Sequence, residues 1–158
     1  MNKKKDIWIC GFGQIGKEYA KICVELEQSP KIIKFKKINN QHYEIGNKRL
    51  ELISGGLENA LLKRKPPDYL IVAAPIEKQF NLIITALTAS IKYILVEKPV
   101  VLHLNQLELL LKHPRRNRIL VALNRRFYEP IEYIRKNFSK KHWSVINIDI
   151  SERGHIVR

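Results

Sequence analysis

The sequence predicts an α/β domain built on a doubly wound parallel sheet, and three observations carry that expectation. Between residues 6 and 123 short apolar stretches alternate with helical stretches of about ten to fifteen residues, the order laid down by right-handed crossover units. One stretch, YLIVAA at 69–74, is apolar throughout, as strands covered on both faces are. Gly11, Gly13 and Gly16 fall between the first apolar stretch and the first helical one, where a strand must turn sharply into a helix.

Taken in order, DIWIC (6–10) is the first strand, and GFGQIG leads into a helix whose expected buried face is Ile15, Tyr19, Ile22, Cys23 and Leu26. Ser29 and Pro30 stop that helix, KIIKFKKI (31–38) is the second strand, NNQHYEIGN (39–47) reads as a polar turn region, and RLELI (49–53) is the third strand. GLENALLKRK (56–65) is a short helix closed by Pro66 and Pro67. YLIVAA is the fourth strand, followed by a helix from about Glu77 to Ala89, the fifth strand YILVE (93–97), a helix over about Leu104–Lys112 and the sixth strand RILVAL (118–123).

The pattern then changes. A helix from about Pro130 to Asn137 carries Ile131, Ile134 and Phe138, and WSVINIDIS (143–151) alternates like a strand with one exposed face. The expected division is a sheet domain at 1–123 and, at 124–158, a short helix-strand remnant that begins a second domain. A lone strand has an edge and an apolar face to cover, so this one is expected to pair with a second copy of the chain, fold back on the first domain, or fray.

With 29 basic and 15 acidic side chains the net charge is +14, a bias that draws phosphates, nucleic acid or an anionic surface. The basic residues run from Lys3 to Arg158 with small clusters at Lys63–Lys65, Arg115–Arg118 and Arg125–Arg126. A nucleic-acid reader concentrates them, and plentiful Lys, Ile and Asn also fit a drift in coding composition, so nucleic acid is disfavoured as a partner. Cys10 and Cys23 stand in apolar surroundings without metal-ligand spacing, which reads as buried free thiols in a reducing compartment, the cytoplasm by default. No apolar run reaches the length of a membrane span, and MNKKKDIWICGFG is too short and glycine-broken for a secretory signal, so no membrane partner is expected. His42, His103 and His113 read as loop or helix-end residues with no metal spacing.

Two stretches carry chemistry. Gly11, Gly13 and Gly16 form G-x-G-x-x-G in its strand-to-helix setting, where Gly11 makes the tight turn, Gly13 lets the backbone approach a pyrophosphate and Gly16 allows helix to pack on strand. The helix N-terminus offers free N–H groups to phosphate, so Gly11, Phe12, Gly13, Gln14, Ile15 and Gly16 are the expected cradle of a dinucleotide, NAD or NADP. An acidic residue that would take an adenosine ribose hydroxyl is missing from the second strand's end, which reads Lys36, Lys37, Ile38, Asn39, Asn40 before Glu44. Lys37 and Asn39 are placed at the ribose, with a lean to NADP because lysines there could meet a 2'-phosphate; solvated edge lysines fit the same residues. In YILVEKPVV (93–101) the fifth strand ends on Glu97, Lys98 and Pro99, where ligands bind in open parallel sheets. Lys98 could donate to a substrate hydroxyl or carbonyl and Pro99 could fix its aim, although spacing alone suits an exposed charged pair before a turn proline slightly better.

GFGQIG, AAP at Ala73–Pro75, VEKPV at Val96–Val100 and ALNRRF at Ala122–Phe127, in this order and at these spacings, resemble the Gfo/Idh/MocA family of glucose-fructose oxidoreductase and inositol dehydrogenase relatives. The resemblance covers nearly the whole chain. It implies a Rossmann-type NAD(P)-binding domain, a catalytic lysine at Lys98 that also meets the cofactor, Glu97 and Pro99 shaping the nicotinamide side of the pocket, Ala74 and Pro75 at the cofactor, and hydride transfer on a sugar, cyclitol or related hydroxy or keto substrate. The chain departs from the family pattern at Ile76 and Gln79, where an Asn and a His are common, and it ends at Arg158 just after what resembles the first strand of the family's second domain; His142 and His155 come too early for that domain's histidine motif. A truncated enzyme that binds cofactor without appreciable turnover is therefore expected. The alternatives from other classes are a non-catalytic nucleotide-binding remnant or scaffold and a basic nucleic-acid binder.

Overall fold

A computed structural model describes residues 4–37 and 39–138, with Phe138 placed by its backbone only. The expected strand at 143–151, His142, His155 and the suggested pairing of copies through that strand lie outside the described residues, as does Ile38. The chain falls into two compact units, Met1–Leu123 and Asn124–Arg158. In the second, a 3-10 turn at Asn124–Phe127 leads into an amphipathic helix, Glu129–Phe138, on which Arg135 holds Glu132 one turn back.

In the first unit seven strands form one sheet in the order β3-β4-β2-β1-β5-β6-β7. They are β1 (Ile7–Cys10), β2 (Lys31–Lys34), β3 (His42–Ile45), β4 (Lys48–Ser54), β5 (Tyr69–Val72), β6 (Tyr93–Val96) and β7 (Ile119–Val121). All neighbours are parallel except β3, which pairs antiparallel with β4. The doubly wound sheet is thus the observed fold, with one strand that the sequence reading took for a polar turn. That segment becomes a hairpin arm because Gly46, at φ +54°, and Asn47 make a two-residue turn, while Tyr43 and Ile45 are half-buried on one face. His42 accordingly sits in a strand, not in a loop.

The helices are α1 (Gln14–Glu25), α2 (Gly56–Lys63), α3 (Ile76–Thr88) and α4 (Leu104–Lys112). Strands progress from β1 to β2 and β4, then return through β5, β6 and β7, and right-handed crossovers running in opposite directions put their helices on opposite faces. Hence α1 packs with Ile9, Ile32, Leu50 and Ile71 on one face. On the other, α2, α3 and Leu110 of α4 cover Trp8, Ile33, Leu70, Val72, Ile94 and Val96. The expectation of cover on both faces therefore holds at β1 and β2 but not at the far edge, where Tyr93 and Leu120, on the α1 face but beyond α1's reach, are 44% and 54% exposed.

The buried stripe of α1 also differs from the expected one. Gly16, Ala20 and Cys23 face the sheet, whereas Ile15, Ile22 and Leu26 are about half exposed or more. The reason is local: a Cβ on Gly16 would lie 2.2 Å from the Gly11 carbonyl oxygen, so the helix can approach that closely only along its smallest side chains. Both cysteines are buried and free, as the sequence implied. Burial pushes both thiols up from their usual range.

Candidate functional site

The parallel register brings the carboxyl ends of β1, β2, β5 and β6 level, Cys10 lying beside Ile33 and Val72, and Val72 beside Val96. One residue further on, each chain is held by a backbone bond to the neighbouring strand. Gly11 N–H donates to the Ile33 carbonyl (3.1 Å), Ala73 to Cys10 (2.8 Å), Glu97 to Val72 (3.1 Å) and Ala122 to Val96 (2.9 Å). The connections leave β1 and β5 toward opposite faces, so a crevice opens between them at the point where the strand order reverses.

Two of the three glycines are there for steric reasons. Gly11 has φ +99°, and a Cβ on it would stand 2.3 Å from the Ala73 carbonyl oxygen; Gly16 is locked against Gly11 as described. Gly13 is different, since a Cβ there would meet nothing within 4 Å. It is exposed, N-caps α1 in an extended conformation and provides no side chain to cap it. The first helical bond runs from Lys17 N–H to the Gly13 carbonyl (3.0 Å), so the amides of Gln14, Ile15 and Gly16 have no helical acceptor. Open amides at a helix N-terminus beside a position kept free of side chain fit a phosphate group. Phe12 packs edge-on against Tyr43 of β3 (centroids 4.7 Å, 84°), with Lys17 Nζ 5.9 and 5.8 Å from the two rings.

Across the loop lies a crevice of about 220 Å³, walled by Ile15, Ala73, Ala74, Ile76, Gln79 and the Glu97–Lys98–Pro99 corner. The Lys98–Pro99 peptide is cis. Lys98 is exposed and has no ion-pair partner among the described residues, while Glu97 is half-buried and accepts a hydrogen bond from the Tyr19 hydroxyl of α1 at 2.5 Å. Burial first, then the adjoining Glu97 carboxylate, push the Tyr19 hydroxyl well above its usual range, so it remains a donor through neutral pH. Pro75 N-caps α3 beside Ala74. Gln79, 3% exposed, donates from Nε2 to the Ala74 carbonyl (3.2 Å), and its buried Oε1 has no partner among the described residues.

Of the expected residues, Ile15, Ala74, Glu97 and Lys98 line one crevice, Gly11 and Gly16 back onto Ala73 of its wall, and Phe12, Gly13, Gln14 and Pro75 adjoin these residues in sequence. Lys37 and Asn39 are exposed in the loop beyond β2, outside the crevice. Next to that loop, a second cavity of about 280 Å³ is bordered by Phe35, Gly55, Gly56, Glu58, Glu77 and Lys78, with Lys78 Nζ 4.2 Å above the Phe35 ring. Although the end of β2 lacks an acidic residue, two carboxylates therefore reach its vicinity from α2 and α3, a convergence that distance along the chain hid. Sequence reasoning also missed Tyr19, Tyr43 and Gln79. Tyr19 had been assigned to the packed face of α1, and the polar Gln79 drew notice only as a departure from the family pattern. Among the described residues no three His, Cys, Asp or Glu side chains gather as a metal site, and no helix is long and apolar enough to cross a membrane.

Comparison with known proteins gives the same outline. The family model described as "Oxidoreductase family, NAD-binding Rossmann fold", Gfo/Idh/MocA, matches residues 5–124. Among solved structures, a myo-inositol dehydrogenase from Corynebacterium glutamicum superposes with a TM-score of 0.68 at 20% identity, over 87% of this chain and 41% of that one. The scyllo-inositol dehydrogenase from Lactobacillus casei with bound NAD(H) and scyllo-inositol gives 0.62 at 17%, over 85% and 40%. A UDP-N-acetylglucosamine 3-dehydrogenase from Acidithiobacillus ferrooxidans gives 0.62 at 17%, over 85% and 43%. At these identities the likeness is one of fold, and the chain spans roughly two fifths of the length of those structures. No curated protein sequence matches the chain.

Proposed function

Because this chain belongs to the Gfo/Idh/MocA oxidoreductase family, with the NAD-binding Rossmann domain at residues 5–124, we propose that its glycine loop holds a nicotinamide dinucleotide and that Lys98 serves hydride transfer on a sugar, cyclitol or related hydroxy or keto substrate. The observation that carries the reading is the contrast within the loop. Gly11 and Gly16 have no room for a Cβ against backbone, while Gly13 has nothing but open space in front of it. A glycine that packing does not require, beside three open amides, is what close approach of a pyrophosphate needs.

When bound, the nicotinamide ring supplies the hydride acceptor or donor. The chain's own residues do the rest. The amides of Gln14, Ile15 and Gly16 take phosphate oxygens, with Phe12 fixed at the turn by Tyr43. Ala74, Pro75 and Glu97 wall the nicotinamide end of the crevice. Lys98, exposed and lining the crevice, donates to the oxygen on the reacting carbon and steadies the charge that develops there. Lys37 and Asn39 meet the adenosine ribose; the loop carries no acidic residue, which leans toward the 2'-phosphate of NADP, while Glu58 and Glu77 at the neighbouring cavity oppose that lean.

A second reading, a nucleotide binder without turnover, is favoured by one feature: no histidine lines the crevice among the described residues, and Ile76 and Gln79 stand on α3 where the family commonly has Asn and His. Fluorescence titration with NADH and NADPH, followed by a panel of sugars, cyclitols and sugar acids with both oxidised cofactors, separates the two. Saturable binding with turnover lost in Lys98→Ala supports the enzyme, binding alone supports the second reading, and no binding of either cofactor overturns both.

A further inference from the structure

The Tyr19–Glu97 bond joins two segments 78 residues apart in sequence, the helix that starts at the glycine loop and the corner that carries Lys98. Glu97 and Lys98 are consecutive, oppositely charged and both on the crevice, yet they form no ion pair, because the Glu97 carboxylate is taken by α1. The backbone gives the corner little freedom of its own, since Glu97 N–H is fixed on the Val72 carbonyl at 3.1 Å. Where the Glu97 side chain turns is therefore decided at Tyr19. Tyr19 is itself held as a half-buried side chain of α1, a helix pinned against the sheet by Gly16 and Ala20.

We propose that Tyr19 is a positioning residue: its hydroxyl keeps the Glu97 carboxylate turned toward α1 and off the Lys98 ammonium, so that Lys98 meets the crevice as an unpaired cation. This rests on the assignment of Lys98 to the reacting end of the cofactor site. Loss of the hydroxyl leaves a half-buried carboxylate without its donor, and the cation one residue along the chain becomes its partner. A lysine so paired is held in its charged form and reacts more slowly as an amine. The Phe ring of Tyr19→Phe keeps the packing of α1.

The test follows the reactivity of the Lys98 amine toward an acylating reagent at about pH 8, read by peptide mass spectrometry against Lys112 as internal reference, with no cofactor present. In Tyr19→Phe the relative rate at Lys98 falls about threefold or more, and in Tyr19→Phe/Glu97→Gln it returns to the parental value, because the carboxylate that captured it is gone. An unchanged rate in Tyr19→Phe, or a fall that persists in the double variant, overturns the proposal. If Tyr19→Phe fails to fold, Glu97→Gln alone decides: the proposal requires the parental rate within about twofold, and a rise beyond that shows that Glu97 was already paired with Lys98. Protection of Lys98 by added NADH in the parental protein is read separately. Its absence counts against the cofactor assignment and leaves the ratio between variants unaffected.

Discussion

The two kinds of glycine in one six-residue loop make a sharp test of whether the loop is built for a ligand. Gly11→Ala places a Cβ 2.3 Å from the Ala73 carbonyl oxygen and 2.7 Å from its carbon, at φ +99°. Those are backbone atoms held by the bond from Ala73 N–H to Cys10, so they cannot rotate away as a side chain could. Overpacking of this kind costs about 1–3 kcal/mol, and the left-handed backbone adds about 1 more. A total of roughly 2–4 kcal/mol lowers the melting temperature by roughly 5–15 °C in a chain of this size. Gly13→Val meets no atom within 4 Å and loses only a modest N-cap preference, about 1 kcal/mol at most. Its side chain nevertheless occupies the approach to the open amides, and NADH affinity is expected to fall by about thirtyfold or more, equivalent to about 2 kcal/mol. Urea denaturation followed by circular dichroism reads the first quantity and fluorescence titration the second. Parental NADH affinity in Gly13→Val refutes the placement of the phosphates. A stability loss in Gly13→Val as large as that in Gly11→Ala refutes the claim that packing leaves the position free.

Three further outcomes are expected. NADPH binds at least as tightly as NADH at equal ionic strength, and Lys37→Glu weakens NADPH about tenfold while changing NADH less than about threefold; a clear preference for NADH in the parental protein removes the basis for the 2'-phosphate assignment. Burial raises the Cys10 thiol above its ordinary 9.0, so the folded state keeps a proton that the unfolded state loses. The stabilisation is therefore complete below pH 9 and lost above it, and the difference in unfolding free energy between parent and Cys10→Val is flat below about pH 8 and slopes downward by up to about 1.4 kcal/mol per pH unit above about 9.5. A flat difference up to pH 11 contradicts this. Arg115 donates to the Leu87 carbonyl and the Ser90 hydroxyl, both at 2.8 Å, closing the end of α3, so Arg115→Ala lowers stability by about 1–2 kcal/mol in urea melts, and an unchanged midpoint shows that water replaces it.

Much of the sheet was legible because strands such as YLIVAA and YILVE are local apolar runs with proline close by in sequence. YLIVAA, YILVE and the alternation with helices gave parallel order without reference to any distant residue. The glycine loop was legible for the same reason, since its turn, cap and helix are contiguous. Two local readings failed where partners lay elsewhere. NNQHYEIGN has too many polar residues to announce a strand, and it becomes one because β4 offers an edge and Phe12 offers Tyr43 a ring. The face of α1 was assigned from the largest apolar side chains, yet contact with the Gly11 carbonyl selects the smallest.

By itself, then, the sequence determined every strand and α-helix of the sheet domain but β3, that the chain turns on glycines into α1, and that Lys98 stands at a strand end, because all of these follow from propensities and periodicities within a few residues. Only the tertiary structure decided what surrounds Lys98 and what borders the cavity beside the loop after β2. The hydroxyl of Tyr19, the amide of Gln79 and the carboxylates of Glu58 and Glu77 arrive from helices tens of residues away along the chain, brought there by the register of parallel strands and the handedness of their crossovers. Hydrogen bonds and Coulomb forces act over a few ångströms of space, and no distance along a chain encodes that.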